Sequence, residues 1–253
     1  MATQSNSPIV NQGFTGVPEL DLEILRYLSD QDLLNICSTD RYLNNFCEDE
    51  SFWQERLVQR STPNALDYKP EEMSWKDYYY FIVTYLPINQ ANLELAAYNN
   101  FLPAVEYFAW EGIVVDDRVA NAAAEGAAFQ VLEFIEEELN VLPTSAGAAL
   151  AIKNIDDEDT ILDVLDWLQI RNILPPRNAI QTAIKKQLRQ VLEWFLNNTT
   201  YFAINKADVN LAYRIGDPYI IGLIEDTYQE QNQPQEPDSD DESEYPDERY
   251  WSE

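Results

Sequence analysis

The sequence contains no histidine. That removes the side chain whose ordinary pKa lies nearest neutral pH, and with it His-based triads and His-ligated metal sites. Glycine is scarce, 7 residues in 253, and none falls in Gly-x-x-x-x-Gly-Lys, Gly-x-Gly-x-x-Gly or Gly-x-Ser-x-Gly. Phosphate loops and nucleophile elbows therefore have no support, and barrels that need many tight turns are disfavoured. No run of about 18 apolar residues is present to span a bilayer, and the opening MATQSNSPIV lacks the charged-then-apolar pattern of a secretory signal. A soluble, intracellular, cytoplasmic protein is the expectation. The two cysteines, Cys37 and Cys47, have no Cys-x-x-Cys spacing and are expected to be buried thiols rather than a disulfide or a metal site. No residue is nominated as catalytic, cofactor-binding or metal-ligating, and the chain is not expected to be an enzyme.

Bases are also few. Against 16 Lys and Arg stand 45 Asp and Glu, a formal net charge of −29. Such a field repels phosphate backbones and anionic lipid, so neither nucleic acid nor a membrane is an expected partner. A protein with a basic face is. The 45% hydrophobic content is enough for a sizeable core.

Residues 1–16 read as a polar, flexible leader and residues 229–253, rich in Gln, Pro, Asp and Glu, as a disordered acidic tail. Within that tail Ser239 precedes Asp240, Asp241 and Glu242, an acid-directed phosphorylation pattern. Between the ends, apolar residues recur at three- and four-residue spacing, punctuated by Pro63, Pro70, Pro87, Pro103, Pro143, Pro175 and Pro176. This predicts an all-α chain of short helices. From Pro18, an apolar stripe runs through Leu20, Ile24, Leu25 and Leu28, and Ser29 with Asp32 carries a capping signature for a second helix through Leu33 and Leu34. Three or four short helices over residues 17–60 predict a small bundle. A coupling segment over 61–88 holds SWKDYYYFIVTYL, where Ser74 and Asp77 cap a helix whose Trp75, Tyr78, Tyr79, Phe81, Ile82 and Tyr85 cover most of its surface and require burial.

Residues 89–228 contain a recurring phrase: AVEYF at 104–108, VLEFI at 131–135, VLDWL at 164–168, VLEWF at 191–195 and a weaker IIGLI at 220–224. Measured at the acid, from Glu106 through Glu133, Asp166 and Glu193 to Gly222, the intervals are 27, 33, 27 and 29 residues. Periods in this range mark stacked helix pairs, each with an apolar face it cannot bury alone. The aromatics Tyr107, Phe134, Trp167 and Trp194 are read as core packing. The acidic run Asp156, Asp157, Glu158 and Asp159 is read as a solvated turn before a helix, and Lys185, Lys186 and Arg189 as a solvated face.

Along its whole length, residues 17–57 resemble the F-box. Val17, Pro18, Glu19 and Leu20 match its Leu-Pro-x-Glu-Leu opening; Ile24, Leu25 and Leu28 its Ile-Leu-x-x-Leu; Asp32, Leu33 and Leu34 its Asp-Leu-Leu; Asp49, Phe52 and Trp53 its close. The pattern departs at Asp40, Arg41, Tyr42 and Leu43, where the family has Cys-Lys-x-Trp. The repeats resemble degenerate ankyrin units: AAYNNFLPAVEYF at 96–108 superposes on AIKKQLRQVLEWF at 183–195, although no copy has the Thr-Pro-Leu-His start and the hairpin glycines are missing. Another helical-pair solenoid remains an alternative. The combination is similar to host-interaction proteins of large DNA viruses, for which host cytoplasm or nucleus is the expected location. The resemblance implies a substrate receptor of a Skp–cullin–F-box ubiquitin ligase, with Pro18, Leu20, Ile24, Leu25, Leu28, Leu33 and Leu34 binding the Skp-type adaptor and the repeats binding a protein substrate. A scaffold or decoy that sequesters its partner without ubiquitination is the alternative.

Overall fold

Proline and short polar side chains decide where the helices start. A computed structural model describes residues 15–198 and 202–233, and among these every regular element is helical, with no strand. Helix α1 (Pro18–Tyr27) opens on proline at its first position, where the missing N–H costs no hydrogen bond. Ser29 caps α2 (Asp30–Thr39) through a bond from the Asp32 N–H, Asp40 caps α3 (Arg41–Cys47), and Asp49 caps α4 (Glu50–Arg60). A 3-10 turn over Pro63–Tyr68 leads to α5 (Trp75–Thr84), capped by Ser74 as the sequence predicts. Leu25, Leu33, Leu43, Phe52, Trp53 and Leu57 form the core of this segment, all at most 3% exposed. Each such side chain stabilises the fold by roughly 1.5–3 kcal/mol.

Five helix pairs follow. They are α6 (Gln90–Tyr98) with α7 (Leu102–Trp110), α8 (Asp117–Glu125) with α9 (Phe129–Glu137), α10 (Ser145–Asn154) with α11 (Glu158–Ile170), α12 (Ala179–Lys186) with α13 (Arg189–Asn197), and α14 (Lys206–Ile215) with α15 (Pro218–Asn232). The four acid–aromatic phrases fall on the second helices of the first four pairs, and the weaker IIGLI on that of the fifth. By contacts the chain divides into Met1–Ile155 with Val164–Pro175, and Asp156–Asp163 with Pro176–Glu253, the boundary passing through α11.

In the first unit α8 packs against both α6 and α10, and α7 packs against α9 and the 3-10 turn. Small residues make the first-helix contacts possible: Ala96, Ala97, Ala120, Ala123, Ala124, Ala148 and Ala151 are fully buried. At Gly126 the approach is closest, since a Cβ there would lie 1.9 Å from the Tyr98 carbonyl oxygen. Asn121 links neighbouring pairs, its Oδ1 accepting from the Thr144 N–H at 2.8 Å and the Gly147 N–H at 3.1 Å. In the second unit α12 packs on α13 and α14, and α15 on α13 and α14. Its buried Asp208 accepts from Arg177, from Gln181 and from the backbone of Asn205.

Three expectations change. Cys37 and Cys47 are bonded as a disulfide, because they occupy the inward faces of two helices that pack together, with Cα atoms 6.0 Å apart; motif spacing along one segment does not report that. Helix α15 continues to Asn232, so 229–232 belong to a helix and not to the tail, while 234–253, with Ser239, lie outside the described residues. Residues 1–14 of the leader do too. Of the four repeat aromatics, Tyr107 and Trp194 are buried, whereas Phe134 and Trp167 are partly exposed. Among the described residues no helix is long and apolar enough to cross a membrane.

Candidate protein-docking site

Helix α1 advances by about 100° per residue, so its exposure can be read around its circumference. Tyr27 is 82% exposed and Leu20 54%; Ile24 and Leu28 are intermediate; Asp21 and Leu25, at 1% and 2%, face inward. Val17 at the N-cap, Pro18, and Leu34 of α2 at 41% are exposed as well. The seven residues singled out in the sequence therefore divide. Pro18, Leu20 and Leu34 are exposed, Ile24 and Leu28 half-buried, and Leu25 and Leu33 are core residues that cannot touch a partner while this segment is folded. Tyr27 belongs with the outer set by its position, three residues beyond Ile24, a helical spacing already present in the sequence.

What holds this face is a residue that the sequence reading passes over. Arg56 of α4 is 1% exposed, yet its guanidinium is fully engaged. Nη1 donates to the main-chain oxygens of Leu25 at 3.1 Å and Arg26 at 2.8 Å, and Nη2 to that of Leu28 at 2.6 Å. These carbonyls end α1 and carry the negative end of its dipole. Nη2 also donates to Asp30 Oδ1 at 2.7 Å, and Nε to the Tyr79 hydroxyl at 2.9 Å. Tyr79 in turn donates to Asp30 at 2.5 Å. Burial pushes the Asp30 carboxyl upward, but hydrogen bonds from Tyr79 and Arg56 and the Arg56 charge outweigh it and hold the pKa below its ordinary value. One buried cation thus fastens the end of α1 to the start of α2, on α4 and α5. Its signal in the sequence is its place: four residues after Phe52 and three after Trp53, on an otherwise apolar stripe.

Helix α5 joins this segment to the repeats through ring contacts on both sides. Trp53 lies 5.3 Å from both Tyr79 and Tyr80, while Phe81 and Tyr85 stack on Phe101 at 5.1 and 5.4 Å. Tyr78, Tyr79 and Ile82 are fully buried, but Phe81 remains 46% exposed, so burial of the helix is incomplete.

The other sequence features are local. Asp157 caps α11 by accepting from the Thr160 N–H and hydroxyl, and Asp156 pairs with Lys186 at 3.7 Å. Arg189 pairs with Asp217 at 2.8 Å. The chain matches no protein-family model, no curated protein and no solved structure.

Proposed function

We propose that the chain is a non-catalytic adaptor, in which the F-box-like residues 17–57 bind a Skp-type adaptor of a cullin ubiquitin ligase and the ankyrin-like helix pairs hold a protein substrate. The observation that carries this reading is the set of apolar side chains left outside the core, Leu20, Ile24, Tyr27 and Leu28 along one side of α1, with Val17 and Pro18 at its start and Leu34 of α2 exposed as well. Large apolar side chains left exposed in this number over so short a segment are a mark of contact with another molecule. The chemistry belongs to the partners. The adaptor raises the effective concentration of a substrate lysine beside the conjugating enzyme, across a connection whose stiffness comes from α5.

The Cys37–Cys47 bond is the feature that argues the other way, since disulfides are rare in the reducing cytosol. Capture under reducing conditions is therefore the decisive form of the experiment. The full chain is co-expressed with the Skp-type adaptor and purified through one partner. Wild type should bring the adaptor down; Leu20→Asp with Leu34→Asp should not, because two carboxylates enter a dry contact, while its helical circular dichroism stays unchanged. A double variant that captures the adaptor as wild type does would sink the proposal. Capture of the adaptor without a cullin favours the decoy.

A further inference from the structure

On the second helices of the repeats, a groove of about 330 Å³ opens between α7 and α9, with Tyr68 also in its lining. That is the small end of the range for ligand sites and fits a single side chain better than a peptide. Each helix contributes an acid and an aromatic four residues apart: Glu106 with Trp110, and Phe134 with Glu138. Trp110 is 68% exposed, far more than an indole placed for packing. Glu106 is half-buried and has no hydrogen-bond or ion-pair partner among the described residues; burial raises its pKa. Neither helix carries a base in its last turn, and both end on a glutamate, Glu111 and Glu138. Two carboxylates and two negative helix ends therefore converge without a cation among the lining residues.

The next helix pair shows what completes such a place. In the repeat alignment Trp167 occupies the position of Phe134, and Arg171 that of Glu138. Arg171 lies 3.5 Å from the Trp167 ring centroid and pairs with Glu136 at 2.6 Å, its Nε bridging both carboxylate oxygens at 2.8 Å. There the chain supplies its own guanidinium. Between α7 and α9 the corresponding base is an acid, and the position of Glu136 is taken by Ala109, which leaves room.

We propose that the α7–α9 groove receives an arginine side chain from a protein partner, its guanidinium stacking on Trp110 and pairing with Glu106 and Glu138. Arginine fits better than lysine, because a planar guanidinium both stacks on an aromatic face and forks onto a carboxylate. The net charge of −29 favours approach of a basic segment. This inference rests on the reading of the repeats as a substrate holder and places the contact on their second helices.

The test uses the full chain carrying 5-fluorotryptophan, with the Trp110 fluorine signal among its 6 tryptophans identified by its loss in Trp110→Phe. Acetyl-Gly-Arg-Gly-amide should shift that signal saturably, and the neutral citrulline peptide should bind at least about tenfold more weakly, the scale of one charged hydrogen bond. Glu106→Gln with Glu138→Gln should abolish the difference between the two peptides while leaving the melting temperature unchanged. A Trp110 signal indifferent to the arginine peptide, or equal shifts from arginine and citrulline in wild type, overturns the proposal; equal binding of the lysine peptide overturns the guanidinium assignment. No adaptor is present in this titration, so its failure leaves the reading of α1 and α2 standing, and failure of adaptor capture leaves the groove standing.

Discussion

Replacing Arg56 by methionine keeps the bulk of the side chain and removes its charge and all of its donors. The loss is concentrated: three main-chain oxygens at the end of α1 lose a partner, and Asp30 loses its nearest cation. Breaking a buried ion pair from one side costs about 3–5 kcal/mol. The lower end applies here, because Asp30 keeps the Tyr79 hydroxyl and an ion pair to Arg60 at 3.5 Å, and its side chain is 26% exposed, so water can reach it. About 3 kcal/mol is a large share of the 5–15 kcal/mol that holds a typical domain together. With a shift of about 2–4 °C per kcal/mol for units of this size, Arg56→Met should melt roughly 6–12 °C below wild type by circular dichroism. Arg60→Met is the control. Its side chain is 48% exposed, and its loss should cost about 1 kcal/mol or less. Arg56→Lys keeps the charge but loses the planar fork that reaches three carbonyls at once, and should fall between. An Arg56→Met variant within about 1 kcal/mol of wild type would refute the claim that one cation fastens this corner.

Two further perturbations probe the repeats. Gly126→Ala puts a Cβ 1.9 Å from the Tyr98 carbonyl oxygen, which is backbone, so α6 and α8 must separate; overpacking of this kind costs about 1–3 kcal/mol or more, and an unchanged urea midpoint would show that the contact is looser than described. Burial raises the Asp208 pKa, but the Arg177, Asn205 and Gln181 bonds outweigh it and leave the pKa lowered. Its stabilising effect is therefore complete above the unfolded value of about 3.9 and lost as pH falls through the lower folded value. The melting-temperature gap between wild type and Asp208→Asn should hold from neutral pH to about pH 4 and narrow below it; a gap that stays constant to pH 2 would rule out this carboxylate as the source.

What could be read from the sequence was local. Ser29 and Ser74 cap helices because a hydroxyl and the third N–H beyond it lie within one turn, and a capping residue carries that information itself. The recurring acid–aromatic phrases fall on successive second helices for the same reason, since periodicity is a property of neighbours along the chain. What escaped was set at a distance. The Cys37–Cys47 bond depends on how α2 packs on α3, and the work of Arg56 depends on carbonyls roughly thirty residues upstream. A charge on an apolar stripe is a visible anomaly, but the sequence does not say which oxygens it meets. In α1 the limit is different: Leu20, Ile24, Leu25 and Leu28 are all apolar, so hydrophobicity cannot separate the three that face outward or sideways from the one that is core. That separation comes from tertiary packing, which leaves Leu25 2% exposed and Leu20 54%.

The groove between α7 and α9 was illegible for a related reason. A repeat alignment shows that Phe134 and Trp167 are equivalent, and equivalence predicts one role, core packing, for both. In the structure the equivalence holds for the backbone and fails for the charge. Arg171 closes one place from within the chain, and Glu138 leaves the preceding one acidic at a helix end that already carries negative potential. Removing an internal cation from one copy of a repeated contact costs stability there, since the carboxylate and the dipole lose their counter-charge. The same removal turns the surface into a complement for a cation from outside. The groove that we propose as an arginine site thus differs from the contact beside it in two members, the base replaced by Glu138 and its carboxylate partner by Ala109, and Trp110 and Glu106 supply the ring and the acid for a cation from outside.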